Sequence, residues 1–132
     1  MTRILIVEDE ADQLKRLAEI LQQAFPAYEI LTAASLTEAK AKLAEVRAVS
    51  LVITDYKLTD GTGYQLLRHC HEVLTNPSVI IITAYGEDEN EEVKAALSFQ
   101  NGACDFIKKP ILDLNEMIER VRYALKISEA LA

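Results

Sequence analysis

The chain has 132 residues, half of them hydrophobic and 27% charged, with a formal net charge of -7. That length fits one domain, residues 1–132, burying roughly 65–70% of the surface its unfolded chain exposes, so it needs no metal or disulfide to hold it together. The composition excludes a disordered chain, and the acidic balance with scattered Lys and Arg argues against nucleic-acid binding by this domain itself.

In chain order, a strand is predicted near 3–8, carrying Ile4-Leu5-Ile6-Val7 and closing on Glu8 and Asp9. A helix near 11–25 follows, with Leu14, Leu17, Ala18 and Leu21 on one stripe and Pro26 to end it. After a strand near 28–33, Ser35 and Glu38 have the spacing of a capping box, opening a helix that buries Leu36, Ala39 and Leu43. The third strand, Leu51-Val52-Ile53-Thr54, closes on Asp55. Thr59-Asp60-Gly61-Thr62-Gly63 is turn chemistry, and the helix after it sends Leu66, Leu67, Cys70 and Leu74 to the core.

A fourth strand runs from Val79 to Thr83, and Asp88 with Glu91 offers a capped start to an acidic helix reaching about Gln100. Cys104 to Ile107 reads as a fifth strand closed by Lys109-Pro110, and Asp113 with Glu116 caps a last helix. Its core stripe is Leu114, Ile118, Val121 and Leu125, with Tyr123, Ile127 and Leu131 as a second apolar stripe. Five strands alternating with five helices imply right-handed crossovers and an α/β, doubly wound, flavodoxin-like fold, its parallel five-stranded sheet in the order 2-1-3-4-5.

Cys70 and Cys104 lack a second ligand at metal spacing and read as buried free thiols. His69 and His71 point in different directions on a helix and read as surface residues. The N-terminus has no signal-peptide core and no run approaches membrane-spanning length, so the expected location is cytoplasmic, with no membrane partner.

The strand order sets the first and third strands side by side, so Glu8, Asp9 and Asp55 converge beyond their carboxyl ends. Like charges so close call for a cation, and Mg²⁺, held by carboxylates, waters and a phosphate, suits them best. An Asp carboxylate can itself be the nucleophile that receives a phosphoryl group.

Glu8-Asp9, Thr54-Asp55-Tyr56-Lys57-Leu58-Thr59-Asp60-Gly61-Thr62-Gly63, Thr83-Ala84-Tyr85-Gly86 and Asp105-Phe106-Ile107-Lys108-Lys109-Pro110 stand in an order that resembles the receiver domain of two-component response regulators, the CheY-like superfamily. The resemblance spans nearly the whole chain. It implies that Asp55 accepts a phosphoryl group from a histidine kinase, a phosphotransfer protein of a phosphorelay or a small phosphodonor. It implies Mg²⁺ as cofactor, with Asp9 and Asp55 as ligands, Glu8 acting largely through water, and the backbone carbonyl of Lys57 as a further ligand. Lys109, which immediately precedes the proline, would pair with Asp55 and then with the phosphoryl oxygens, leaving Lys108 a solvated neighbour. Thr83 would be the switch hydroxyl and Phe106 the switch aromatic, and the Lys109-Pro110 peptide would be cis. The readout and homodimer face would be the fourth helix, fifth strand and fifth helix. Such a domain is not an enzyme acting on other molecules; it catalyses its own phosphorylation and dephosphorylation. Glu10 has no family role and reads as a first-turn helix charge.

Departures from the family pattern carry expectations too. Thr59 replaces a common proline, which loosens the loop. Lys57 and Tyr85 occupy positions that tune phosphoryl lifetime, and a bulky Tyr85 predicts slow self-dephosphorylation. About four additional residues, one helical turn, fall between Thr83 and Lys109, with Glu87 to Glu92 expected to absorb them. The last helix, 112–132, is expected either to make a dimer contact or to lead into an effector domain. The rival reading, a phosphatase resembling the haloacid dehalogenases, requires a carboxylate where this chain has Lys57 and a cap for which there is no room.

Overall fold

The computed structural model describes residues 2–46, 48–84, 100, 102–109, 111 and 113–131, without the side chains of Ala84 and Leu131. The elements are β1 (Arg3–Val7), α1 (Ala11–Ala24), β2 (Glu29–Ala33), α2 (Leu36–Glu45), β3 (Leu51–Asp55), β4 (Lys57–Leu58), β5 (Gly61–Thr62), α3 (Gly63–Val73), β6 (Ser78–Ala84), β7 (Asp105–Lys109) and α4 (Leu114–Leu131). The predicted helix reaching Gln100, the added turn at Glu87 to Glu92, Tyr85 and Pro110 with its peptide bond lie outside the described residues, Gln100 itself excepted.

Five parallel strands form one sheet in the order β2-β1-β3-β6-β7, which is the predicted arrangement. Its strands read as continuous apolar runs because both faces are covered, and successive side chains supply opposite cores. Leu5, Val7, Val52, Val79 and Ile81 join one core beneath α2 and α3, while Ile4, Ile6, Leu51, Ile53, Ile80 and Ile82 join the other beneath α1 and α4. Each such side chain, taken fully from water, contributes about 1.5–3 kcal/mol.

Local chemistry sets the helix ends. Phe25, the residue before Pro26, leaves helical geometry at φ -129°, as the proline ring demands, and its ring stacks on Tyr28 at 5.6 Å. Ser35 Oγ accepts from the Glu38 amide at 3.0 Å as predicted, but the Glu38 carboxylate reaches the Ala34 amide, so the capping box closes one residue early. A reciprocal box is found instead at α3, between Thr62 and Gln65. Asp113 caps α4 by accepting from the Glu116 amide at 3.1 Å.

Several expectations need correction. The turn expected over Thr59 to Gly63 is narrower, since Thr59 and Asp60 make it and the flanking residues pair as a tight antiparallel hairpin, with Lys57 opposite Thr62 and Leu58 opposite Gly61. The fifth strand does not end at Ile107, because Lys108 and Lys109 continue in register with Thr83 and Ala84. Leu114 is 39% exposed rather than core, since it starts α4 at the rim of a cavity; Met117 and Ala124 join Val121 and Leu125 on the buried stripe. Cys70 is buried, but Cys104 only partly, and His69 is half-buried.

Candidate functional site

The strand order reverses between β1 and β3, because α1 carries the chain one way to β2 while β3, β6 and β7 are added the other way. At this switch point the loops diverge and leave a crevice beyond the strand ends. Glu8 and Asp9 leave β1 there and Asp55 is the last residue of β3. One carboxylate oxygen from each lies within 4.8 Å of the others, a spacing at which a single hard cation can touch all three.

Lys109 reaches this cluster from β7, beyond β6. Asp55 is in register with Ile82, and Ala84 with Lys109, so the lysine stands further along the sheet and its long side chain folds back over the crevice. Its ammonium donates to Glu8 Oε2 at 2.7 Å, Gln13 Oε1 at 2.8 Å and Asp55 Oδ2 at 3.3 Å. Lys109 is thus nearer to Glu8 than to Asp55. Lys108 is exposed, since neighbours on a strand face opposite ways.

Burial shifts the charges here. It raises Asp55 to about 6, against the attraction of Lys109 and with help from the Glu8 charge. Burial and the adjoining Glu8 also raise Asp9. Burial opposes the Lys109 charge, but its hydrogen bonds and attraction to Glu8 and Asp55 outweigh that and raise its pKa. Three clustered carboxylates with a single ammonium leave an excess of negative charge that an added cation would offset.

The hairpin of β4 and β5 follows directly on Asp55 and is tied down at two points. Asp60 accepts from the Leu36 amide at 2.7 Å, the Thr37 amide at 2.9 Å and the Thr37 hydroxyl at 2.6 Å, pinning the hairpin to the start of α2. Those bonds hold Asp60 down at about 2. At the other point Gly63 donates to the Tyr56 carbonyl at 2.6 Å, and a Cβ there would stand 2.5 Å from the Asp55 carbonyl oxygen. Only glycine lets α3 begin so close to the strand end.

Comparison with known proteins decides what this arrangement is. The family model described as the response regulator receiver domain matches residues 4–122. This chain belongs to the response regulator receiver family. The receiver is 33% identical over 125 residues to the response regulator protein PilR of Pseudomonas aeruginosa, covering 95% of this chain and 26% of PilR. It is 34% identical over 110 residues to the two-component response regulator ARR11 of Arabidopsis thaliana, covering 83% of this chain and 20% of that protein. The chain therefore spans only a minor part of the length of these two relatives. Among solved structures, a CheY-like receiver domain protein from Methanospirillum hungatei superposes with a TM-score of 0.84 at 31% identity, covering 100% of this chain and 99% of the other.

In the receiver, Thr83 lies on β6 and Phe106 on β7. Strand alternation puts Thr83 with Ile81 and Phe106 on the α2 and α3 side, and both residues are buried, at 2% and 9% exposure. Phe106 adjoins Asp105, which binds Arg120 of α4 through both carboxylate oxygens. Among the described residues, sequence reasoning missed Gln13, Asp60 and Gly63 as parts of the crevice's frame. Gln13 follows Glu10 at helical spacing, the one local signal that could have drawn attention to it.

Proposed function

We propose that this receiver accepts a phosphoryl group on Asp55 from the phosphohistidine of a sensor histidine kinase or phosphotransfer protein, or from a small phosphodonor. The observation that carries the proposal is the Lys109 ammonium held between Glu8 and Asp55, beside a third carboxylate, at the switch point of the sheet. An ionised Asp55 oxygen attacks phosphorus, the phosphorus–nitrogen bond breaks, and its electron pair goes to the imidazole nitrogen. Lys109 then transfers its hydrogen bond from the Asp55 oxygen to a phosphoryl oxygen, where the added charge gathers. The cluster of Glu8, Asp9 and Asp55 suits Mg²⁺; by resemblance to the family, Asp9, Asp55 and the Lys57 carbonyl would hold it, with Glu8 acting through water, and it would neutralise phosphoryl charge.

In this reading Thr83 moves toward the new phosphoryl group and Phe106 rearranges within its core, changing the face formed by β7, α4 and the adjoining segment. That face controls an output partner or a homodimer contact, and α4 still shows Tyr123 at 67% exposure. The chain acts as a signalling domain rather than an enzyme on other substrates, and its work is cytoplasmic. Among the described residues no helix is long and apolar enough to cross a membrane. A hydrogenase transcriptional regulatory protein, HoxA of Bradyrhizobium diazoefficiens, matches this chain over 24% of its own length. By analogy this domain is the regulatory part of a longer regulator, with α4 leading toward the effector.

Intact mass spectrometry after acetyl phosphate and Mg²⁺ treatment tests the proposal. Wild type gains one phosphoryl mass and Asp55→Asn gains none. A folded wild type without the adduct, or an adduct that survives Asp55→Asn, refutes it.

A further inference from the structure

Gln13 lies on the first turn of α1, and nothing so far assigns it a role. Its side chain joins two charged groups at once: its amide nitrogen donates to Glu10 Oε2 at 2.9 Å and its oxygen accepts from Lys109 Nζ at 2.8 Å. An amide can be turned end for end, but here the partners settle its direction. A carboxylate accepts only and an ammonium donates only, so a turned amide would set like against like at both ends. Glu10 is the N-cap of α1 and Gln13 the third residue of its first turn, the spacing at which side chains of a helix start can meet. The charge that reads from sequence as a helix-end residue therefore fixes the amide that holds the lysine.

An ammonium has three donors, and Glu8, Gln13 and Asp55 take all three. Two of these acceptors belong to the acidic cluster, and Gln13 alone of the three is neutral and outside it. A cation drawn to the carboxylates competes for their oxygens but not for the Gln13 oxygen. We infer that Gln13, oriented by Glu10, is a positioning residue that holds the Lys109 ammonium over Asp55 for phosphoryl transfer. The inference rests on the phospho-accepting reading and names a residue that acts through its lysine.

Two measurements test it, using Gln13→Leu, which keeps the helix-forming chain but removes the acceptor. The first needs no phosphorylation: acetylation of Lys109 by acetic anhydride, followed by peptide mass spectrometry with another surface lysine as reference. A lysine that has lost a fixed acceptor should label about two- to fivefold faster. Unchanged labelling overturns the inference whatever Asp55 does.

The second is the maximal rate of Asp55 phosphorylation by acetyl phosphate, in wild-type and Lys109→Met backgrounds. With Lys109 present, Gln13→Leu should lower the rate about three- to tenfold, and Glu10→Ala should lower it less. With Lys109 absent, Gln13→Leu should change nothing further. An equal loss in both backgrounds, or no loss in the wild-type background, overturns the assignment. Failure of wild type itself to take a phosphoryl group refutes the phospho-accepting reading instead, and the labelling result then decides the Gln13 contact alone.

Discussion

Asp55 ends β3 and Asp60 lies in the hairpin that leads from it to α3, yet their carboxyl groups are driven in opposite directions. Asp55 is raised to about 6, first by burial, whereas three hydrogen bonds hold Asp60 down at about 2. The first places a charge where burial makes charge unwelcome, beside an ammonium and two other carboxylates. The second has spent its oxygens on two amides and a hydroxyl and serves to anchor the loop. One residue type is thus held above or below its usual range, according to what the fold brings against it.

Four experiments would break or sharpen that contrast, beginning with the largest effect. Lys109→Met keeps a chain of similar length without the charge, and should slow phosphorylation of Asp55 about 100-fold, followed by adduct mass over time. A rate within threefold of wild type would mean that the ammonium does not serve the crevice. Gly63→Ala, at the junction of the two regions, sets a methyl group against the Asp55 carbonyl and should cost about 2–3 kcal/mol in urea unfolding. A variant as stable as wild type would show that α3 does not need this close approach.

The next effect lies in pH. Between 3.8 and about 6 the folded chain keeps a proton on Asp55 that the unfolded chain has lost, so stability falls as pH rises through that window. Asp55→Asn removes this loss and, without divalent cations, should be about 1–2 kcal/mol more stable than wild type at pH 8 after allowance for screening by water, the gain vanishing near pH 4. A gain that grows toward low pH would contradict a raised Asp55. For Asp60 the sign reverses: its stabilisation is present above 3.8 and lost as pH falls toward about 2. Asp60→Ala should lower the melting temperature at pH 7 modestly and flatten the acid limb, while Asp55 still takes its phosphoryl group within about threefold of the wild-type rate. Loss of the adduct in a folded Asp60→Ala would move Asp60 from the frame into the site.

Much of the crevice can be read from the chain because strand ends announce themselves. An apolar run that stops on Glu8, on Asp55 or on Lys109 states where a strand turns from apolar to charged, and alternation with helices fixes the end of the sheet at which those charges gather. Lys109 illustrates where such reading stops. The resemblance to receivers selects it over Lys108, but the sheet shows that its nearest acceptors are Glu8 and Gln13, because it stands two registers beyond Asp55 and must fold back. Leu114 departs from the expected core stripe for a related reason: helical period identifies a stripe, while the depth of each turn depends on where the helix overhangs the sheet.

The sequence by itself determined the alternating elements, the sheet covered on both faces and the meeting of three carboxylates, since these follow from hydrophobic period and chain handedness, while the resemblance to receivers added the lysine. Only the tertiary structure decided which amide steadies that lysine, which aspartate is pinned and which is left strained by burial, and why glycine must stand at 63. Those outcomes depend on distances of a few ångströms between residues far apart in the chain, and no local pattern encodes such distances.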